Sequence, residues 1–425
     1  MNIKSKITLA LIALGVVSIA SADNVVYLTG STAFRSTVYT ALHTPGNVFD
    51  GAVTQATRGG SLGGANYMLF HGNISGTPTY INCAWSGSEA GIASAAGVSI
   101  QNTDRNGNPI PLAGSPETWL KADGSVAMTD TTTSPTTAEL ETSSHQSDLA
   151  MADTSQAVSL TPYVANTSTA LKDYGTVGIV TFAFAKNVNT TPSAEWAAMN
   201  NITLPQANVL FSAGYQHTAF FTGISSQTNN YVYLVGRNKG SGTRANELSD
   251  TGYGTTTPVQ QFSIGGGVQP GDPTTGLVLQ YEANNGYESG GGVAAALGID
   301  GSCQQTDPFF PSQPGWFAVG MLGVSDALSH GLAISPNWLT FEGVAESDGA
   351  IEEGQYQLWG HEHVLGRSNI SGYQDTVGGK LFTGVQTAIG TSGSNPAAHS
   401  PGIALNYMHC TKSSDTAYPT RNAGY

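Results

Sequence analysis

The chain has 425 residues, of which 15 are Lys or Arg and 29 are Asp or Glu, so its formal net charge is −14. Only 10% of the residues are charged, against about 25% in an ordinary soluble domain, and the shortage of basic residues argues against nucleic-acid binding through the phosphate backbone. A hydrophobic content of 40%, with 17 Tyr and 14 Phe, excludes a disordered chain, and the length allows two or three domains.

The first 22 residues have the pattern of a secretory signal peptide. Lys4 and Lys6 precede an apolar run from Ile7 to Ile19, and the residues 20–22, Ala-Ser-Ala, fit a small-residue cleavage site. The run of about 13 apolar residues is too short to span a bilayer, and no later stretch is long enough. We predict cleavage after Ala22, export to the periplasm or the medium, and no transmembrane segment in the mature chain. A short N-terminal anchor is the alternative.

Apolar strands followed by polar turns and helices are predicted along the rest of the chain. The predicted strands are 24–28, 79–84, 177–184, 231–235, 316–321 and 356–365. The predicted helices are 35–42, 290–297 and 380–390, with two more beginning near Ile92 and Ala245. The alternation predicts an α/β fold with largely parallel sheets. Residues 101–147 are polar and low in complexity, and we predict a surface insertion there.

Four predicted strands end in turns that are rich in Ser, Thr and Gly. These turns contain Ser31-Thr32, Gly87-Ser88, Ala152-Asp153-Thr154 and the run from Arg237 to Thr243. In an open α/β sheet the carboxyl ends of the strands form the ligand crevice, and helix N-termini there offer N–H groups to anions. Hydroxyls and one arginine add further donors. The sequence therefore predicts a small donor-lined pocket for a tetrahedral oxyanion.

The same segments resemble those of the periplasmic phosphate-binding proteins of ABC importers. Residues 236–244, Gly-Arg-Asn-Lys-Gly-Ser-Gly-Thr-Arg, resemble the family's Arg-x-x-Gly-Ser-Gly-Thr loop. Residues 29–34 are similar to its first phosphate loop, 87–92 to its Gly-Ser-Ser-Gly-Gly-Val turn, and 149–154 to the segment with its phosphate-contacting Asp. Residues 351–358 are similar to its Gly-x-Tyr-Pro return strand, with Gln357 in place of Pro. The segments occur in the family's order.

The resemblance implies a two-lobed periplasmic-binding-protein fold of type II that closes on inorganic phosphate. Carried over by position, the phosphate-binding residues would be Ser31, Thr32, Phe34 through its backbone N–H, Ser88, Asp153, Arg237, Ser241, Gly242 and Thr243. Ala33 stands where the family often has a contacting Thr, and Lys239 where many members carry an acid. The resemblance also implies no cofactor and no enzymatic reaction, a monomer, and an ABC permease as partner.

The implied lobes divide the mature chain in an unequal way. Lobe I would comprise 23–176, with the insertion 101–147, and the returning segment 366–425. Lobe II would be the continuous segment 187–356. The hinge strands would be 177–186 and 357–365.

Asp153 is the most informative of the implied contacts. A carboxylate beside an anion is repulsive unless the ligand carries a proton, as phosphate does near neutral pH and sulfate does not. We therefore expect Asp153 to accept a hydrogen bond from the P–OH group. The alternatives are structural: a helix-cap role for Asp153, capping for Ser241 and Thr243, a turn role for Ser88, and a surface ion pair for Arg237.

Two other features leave alternatives open. Cys83, Cys303 and Cys410 are the only cysteines, and a Cys303–Cys410 disulfide and buried free thiols are both compatible with an exported chain. His361 and His363 share one face of a predicted strand, but no third metal ligand is evident in the sequence. We therefore predict no metal site.

Two other classes of function compete with phosphate capture for import. A secreted surface or matrix protein could keep the fold without transporting a solute, and the Lys-poor composition and the insertion favour it. A phosphatase using Ser241 would need a general base beside the serine, and the sequence shows none.

Overall fold

A computed structural model of the chain describes residues 23–59, 62–104, 106, 108–111, 117–129, 139–158, 170–265, 278–300, 306–332, 336–392, 402–415 and 417–423. The predicted signal peptide, 1–22, lies outside the described residues. Among the described residues, no helix combines the length and apolar character that crossing a bilayer requires.

Twenty strands and ten α-helices are described. The strands are β1 Asn24–Gly30, β2 Thr54–Arg58, β3 Tyr67–Ile74, β4 Thr77–Ala84, β5 Gln101–Thr103, β6 Pro109–Pro111, β7 Glu117–Leu120, β8 Leu140–His145, β9 Leu149–Ala152, β10 Lys172–Lys186, β11 Asn201–Ile202, β12 Tyr215–His217, β13 Asn230–Leu234, β14 Gln261–Ile264, β15 Leu279–Ala283, β16 Gly315–Gly323, β17 Thr340–Phe341, β18 Trp359–Gly366, β19 Cys410–Thr411 and β20 Thr420–Arg421. The helices are α1 Arg35–His43, α2 Ser88–Ala96, α3 Ala194–Ala198, α4 Leu204–Ala213, α5 Thr218–Thr222, α6 Gly242–Asp250, α7 Gly290–Leu297, α8 Val324–Ser329, α9 Asp348–Glu352 and α10 Gly372–Ser392.

A ten-stranded sheet forms the centre of the protein, in the order β12-β13-β16-β10-β18-β9-β1-β4-β3-β2. Helices pack against it: α1 and α10 contact each other, and α2 covers β9 and β1. The α/β class predicted from the sequence is confirmed. The prediction of largely parallel sheets is wrong: in the described part of this sheet only β1–β4, β1–β9 and β13–β16 are parallel. The strands β2, β3 and β4 form a meander and pair antiparallel with one another, since no crossover helix joins them. The long strand β10 pairs antiparallel with β16 and β18.

The strand β10 belongs to both halves of the sheet. Its first part, up to Thr181, pairs with β18, and its last part, from Phe182 to Lys186, pairs with β16. The strands β1, β4 and β9 run in the same direction as β10, whereas β13 and β16 run in the opposite direction. The carboxyl ends of the two groups therefore face each other near the middle of β10. All four Ser/Thr/Gly turns lie at this meeting point.

Part of the predicted surface insertion is packed into the fold. The hairpin of β7 and β8 covers the sheet, and Trp119 and Leu120 are fully buried. The Trp119 ring contacts Tyr27 at 4.8 Å between centroids, and the Leu120 carbonyl accepts a hydrogen bond of 2.6 Å from Asn82. This part of the segment therefore contributes to the core, which its polar composition concealed.

The C-terminal segment crosses the middle of the sheet. The backbone of Ile403 exchanges hydrogen bonds with Ile179 on β10. Lys412 is buried, bonds Asp250 of α6 at 2.6 Å and also donates to the carbonyl of Trp359 on β18. Cys83 and Cys410 are buried free thiols, and Cys303 lies outside the described residues.

Candidate functional site

The turn after β1 presents backbone donors toward the meeting point of the strands. The Ser31 amide donates to the Met151 carbonyl, but the amides of residues 32–35 have no acceptor within the described part of the chain. The Phe34 side chain is buried in the core. Phe34 and Arg35 are the N-cap and first residue of α1, whose first amides have no acceptor within the helix, and residues 32 and 33 lie in the turn before it. The turn therefore offers a row of N–H groups.

Asp153, Ser88 and Gly242 lie in direct contact. Asp153 follows β9, its backbone amide donates to the Ser88 hydroxyl at 3.2 Å, and the residue is 1% exposed. A Cβ on Gly242 would come within 1.5 Å of Asp153 Oδ1 and within 2.6 Å of the Ser88 Cβ, so only glycine fits there. The Oδ1 atom has no hydrogen-bond partner among the described residues. Burial raises the Asp153 pKa to about 6, although the Ser88 hydrogen bond and Arg237 oppose the shift.

Helix α6 begins at the predicted Gly-Ser-Gly-Thr loop, three residues earlier than the sequence indicated. Ser241 caps the helix by accepting a hydrogen bond from the Arg244 amide, so its capping role is real. The amides of Gly242 and Thr243 have no acceptor in the described part of the chain. Thr243 is buried beside them. A second set of unpaired donors therefore faces the first from the other half of the sheet.

Arg237 is the buried cation of the site. Its Nε donates to the Tyr287 carbonyl at 3.3 Å and its Nη2 to the Glu288 carbonyl at 2.9 Å. Burial lowers its pKa to about 10, and Asp326 and Asp153 oppose the shift. The guanidinium is thereby held in one orientation. It remains the principal positive charge acting on Asp153.

Arg244 buttresses the Arg237 loop from behind. Its Nη1 donates to the carbonyls of Arg237 at 3.1 Å and of Asn284 at 3.0 Å. Lys239 is half-buried, and burial and Arg244 lower its pKa. Rigid support of this kind keeps a binding loop in its productive geometry.

Hydrogen bonds join the two halves across the site, and one of them runs from Asn246 Nδ2 on α6 to the Asp153 carbonyl at 2.9 Å. The Gly240 carbonyl accepts hydrogen bonds from the amides of Glu89 at 3.0 Å and Ala90 at 3.2 Å. Two N-terminal amides of helix α2 are therefore already hydrogen-bonded within the protein and are not available to a ligand. Ser88, whose amide has no acceptor among the described residues, is the remaining donor at this helix end.

Two residues near the site were missed in the sequence, Arg35 and Asp326. Arg35 opens α1 and donates to Asn66 at 2.8 Å. Its pKa is lowered by burial, and Asp326 opposes that shift; Asp326 in turn acts on Arg237. The position of Arg35, directly after the first Ser/Thr/Gly turn, was a signal for it. Asp326 follows the apolar strand β16 without a Ser/Thr/Gly turn, so no motif marked it.

A third missed residue is Glu362 on β18, which is fully buried. Neither of its carboxyl oxygens has a hydrogen-bond partner among the described residues. Burial raises its pKa well above the usual range, Asp153 raises it further, and the Ser31 hydroxyl opposes the shift. No sequence signal marked this residue, because the run from His361 to His363 drew attention only to its two imidazoles.

The two histidines beside Glu362 each lie near a different aspartate. His361 lies 4.0 Å from Asp415, and His363 lies 3.2 Å from Asp173. Within the described ranges, no group of three or more His, Cys, Asp or Glu side chains is placed to hold a metal ion.

No protein-family model and no curated protein sequence matches the chain. Among solved structures, it is similar to a putative phosphate ABC transporter substrate-binding protein with bound phosphate from Clostridium perfringens, with 13% identity, a TM-score of 0.40, and coverage of 87% of this chain and 97% of that one. It is similar to an ABC-type phosphate transport receptor from Vibrio cholerae with 15% identity, a TM-score of 0.39, and coverage of 87% and 98%. A possible phosphate-binding protein from Planctomyces limnophilus shares 10% identity at a TM-score of 0.34, with 82% of each chain covered.

Proposed function

We propose that the protein is an exported solute-binding protein that captures inorganic phosphate between the two halves of its sheet. The observation that carries the proposal is the convergence of unpaired donors on one buried arginine and one buried acid. The amides of residues 32–35 approach from one half, and those of Gly242 and Thr243 from the other. Arg237 supplies charge, and Asp153 keeps Oδ1 without a partner among the described residues.

The protonated form of phosphate explains why an acid lies among donors. A P–OH group donates to Asp153 Oδ1, while the other phosphate oxygens accept from the amides and Arg237. Sulfate brings no proton, so its binding leaves the acid unpaired beside an anion. An unpaired buried polar group costs about 1–3 kcal/mol, and more when it is charged. The proposed site therefore prefers phosphate.

In this proposal the ligand is captured by closure of two lobes, 23–176 with 366–425 and 187–356, about the hinge strands 177–186 and 357–365. The ligand shifts the population toward the closed state by contacting both halves. A permease would receive the closed form. Because the whole chain is acidic, phosphate binds against the overall field, and added salt should leave its affinity unchanged or raise it.

Calorimetric titration of the mature chain with phosphate and with sulfate tests the proposal. We expect heat with phosphate and little with sulfate, and in Asp153→Asn a modest loss of phosphate affinity with collapse of the preference over sulfate. The matched control is Asp148→Asn, a nearby buried acid that accepts from the Tyr27 amide at 3.0 Å and pairs with Arg367 at 3.2 Å. That variant should keep the preference. An unchanged preference in Asp153→Asn would show that Asp153 is not the proton acceptor.

One observation favours a second candidate, a secreted surface or matrix protein without a transport role. The Gly240 carbonyl already joins the two halves by occupying the amides of Glu89 and Ala90. A permanently closed cleft would use these bonds as structure rather than as part of a binding cycle. Absence of heat at micromolar protein and millimolar phosphate supports this candidate over phosphate capture.

A further inference from the structure

The Glu362 side chain is directed at the proposed phosphate site. Its strand β18 pairs with β10 so that Glu362 lies opposite Gly178, and cross-strand partners share one face of a sheet. A Cβ on Gly178 would meet Ile389 of α10 at 2.5 Å, the Ile403 carbonyl at 3.3 Å and the Phe34 ring at 3.5 Å. A Cβ on Gly360, two residues before Glu362 and on the same face of β18, would lie 2.7 Å from the Asp153 carbonyl, so this face looks toward the turn after β9. The imidazoles of His361 and His363 lie on the other face of β18, because side chains alternate along a strand.

Four polar atoms without a regular hydrogen bond meet beside this turn. They are both carboxyl oxygens of Glu362, the Ser31 hydroxyl and Asp153 Oδ1; each is buried, and none makes a hydrogen bond of regular geometry among the described residues, although the Ser31 hydroxyl interacts with the Glu362 carboxyl. Buried polar groups are hydrogen-bonded in nearly all proteins, so a cluster of unpaired ones indicates that something else occupies the space between them. The unpaired amides of residues 32–35 border the same space.

The charges around Glu362 decide its protonation state. Asp153, on the turn after β9, repels its ionised form, and Gly178 is its partner on β10. From the turn after β1, only the neutral Ser31 hydroxyl faces Glu362. The positive charge of Arg237 lowers the pKa values of Asp153 and Asp326, and that of Arg35 lowers the pKa of Asp326. Within the described residues no cation compensates a Glu362 carboxylate, and burial raises its pKa well above the usual range. Burial and the nearby Asp153 therefore both favour the protonated, neutral form of Glu362 over its carboxylate.

We propose that Glu362 is a ligand-contacting residue that donates its carboxyl hydrogen to a phosphate oxygen, while Asp153 accepts the hydrogen of the P–OH group. The proposal rests on the proposed function. Monohydrogen phosphate carries one hydrogen and can satisfy one acceptor, so a second ionised acid in the site would remain unpaired. With Glu362 neutral, each of the two acids makes one hydrogen bond of opposite direction to the ligand. The site then accepts the phosphate's hydrogen at Asp153 and donates a hydrogen to the phosphate from Glu362.

The experiment compares Glu362→Gln with Glu362→Leu and the wild type. Gln keeps the shape and a donor but cannot ionise, whereas Leu keeps approximate volume without a donor. Inorganic phosphate is titrated into each protein from about pH 6 to about pH 10, and the affinity of each variant is divided by that of the wild type at the same pH. The division removes the ionisation of phosphate itself and of Asp153 from the comparison.

We expect Glu362→Gln to bind as the wild type wherever Glu362 keeps its proton, and its affinity relative to the wild type should rise as increasing pH ionises the acid. Glu362→Leu should lose about tenfold or more at neutral pH while its melting temperature shows that it is folded. Ratios for both variants that stay near one at every pH would overturn the role of Glu362 and leave the proposed function standing. A wild type that binds no phosphate at any pH would overturn both.

Discussion

Replacement of Asp153 by Asn should stabilise the protein when no ligand is present. The folded state holds this carboxyl in a buried position with Oδ1 unpaired among the described residues, and burial raises its pKa from 3.8 to about 6. As pH rises from 3.8 toward 6, the unfolded chain releases the proton first, so the wild type loses stability across this window. Asn has no proton to release. Its advantage over Asp must therefore grow as pH rises.

The size of the effect follows from the two pKa values. A shift of about two units corresponds to about 3 kcal/mol of lost stability once pH is above both values. Part of this loss has already occurred at about pH 5, so the stability difference between the Asp153→Asn variant and the wild type should grow by about 1.4 kcal/mol between about pH 5 and about pH 7.5. Any constant cost of burying the amide cancels in this comparison, because it is the same at both pH values.

Urea unfolding of the phosphate-free proteins at both pH values measures this difference. The matched control is Asp50→Asn. The hydrogen bond from the Gly76 amide holds the Asp50 pKa below 3.8, so the acid is ionised throughout the range and its substitution should have the same effect at both pH values. If the stability difference for Asp153→Asn were equally independent of pH, the argument that Asp153 is buried with a raised pKa would be refuted.

Two further substitutions test the surrounding structure. Gly242→Ala should lower the phosphate affinity by more than about tenfold in a calorimetric titration. The new Cβ would lie 1.5 Å from Asp153 Oδ1 and would force this atom to move. Wild-type affinity in this variant would contradict the described contact. Lys412→Met should lower the free energy of unfolding by about 3–5 kcal/mol in urea, since it leaves Asp250 buried without its cation, and a loss below about 1 kcal/mol would show that this pair is not buried.

The sequence was informative about the fold wherever a local pattern was strong. The strands at 24–28, 79–84, 231–235 and 316–321 coincide with β1, β4, β13 and β16 to within two residues, since short apolar runs of β-branched and aromatic residues indicate buried strands. Sheet order and direction were less accessible. The length of β10, and its antiparallel pairing with β16 and β18, depend on contacts between residues far apart in the chain. No local periodicity encodes those contacts.

For the candidate site, predictions followed the turns and missed the strands. The turns after β1, β4 and β9 lie together because these strands are parallel and bring their carboxyl ends to one edge, and the turn after β13 meets them from the opposite direction, because β16 pairs antiparallel with β10. Glu362 was missed because its burial arises from β10 and the turn after β1, neither of which adjoins it in sequence. The role of the predicted residues in holding phosphate remains a proposal that the titrations above test.

The strand β10 also determines how the protein unfolds. With 15 residues at about 3.3 Å each, it extends about 50 Å and carries hydrogen bonds to β18 along one part and to β16 along the other. Detaching either half of the sheet exposes the amides of a strand that the other half still holds. Local melting of one half is therefore costly, and the two halves share a single cooperative transition. Amide hydrogen exchange along β10 then reports on the entire molecule, although the ligand site occupies only its centre.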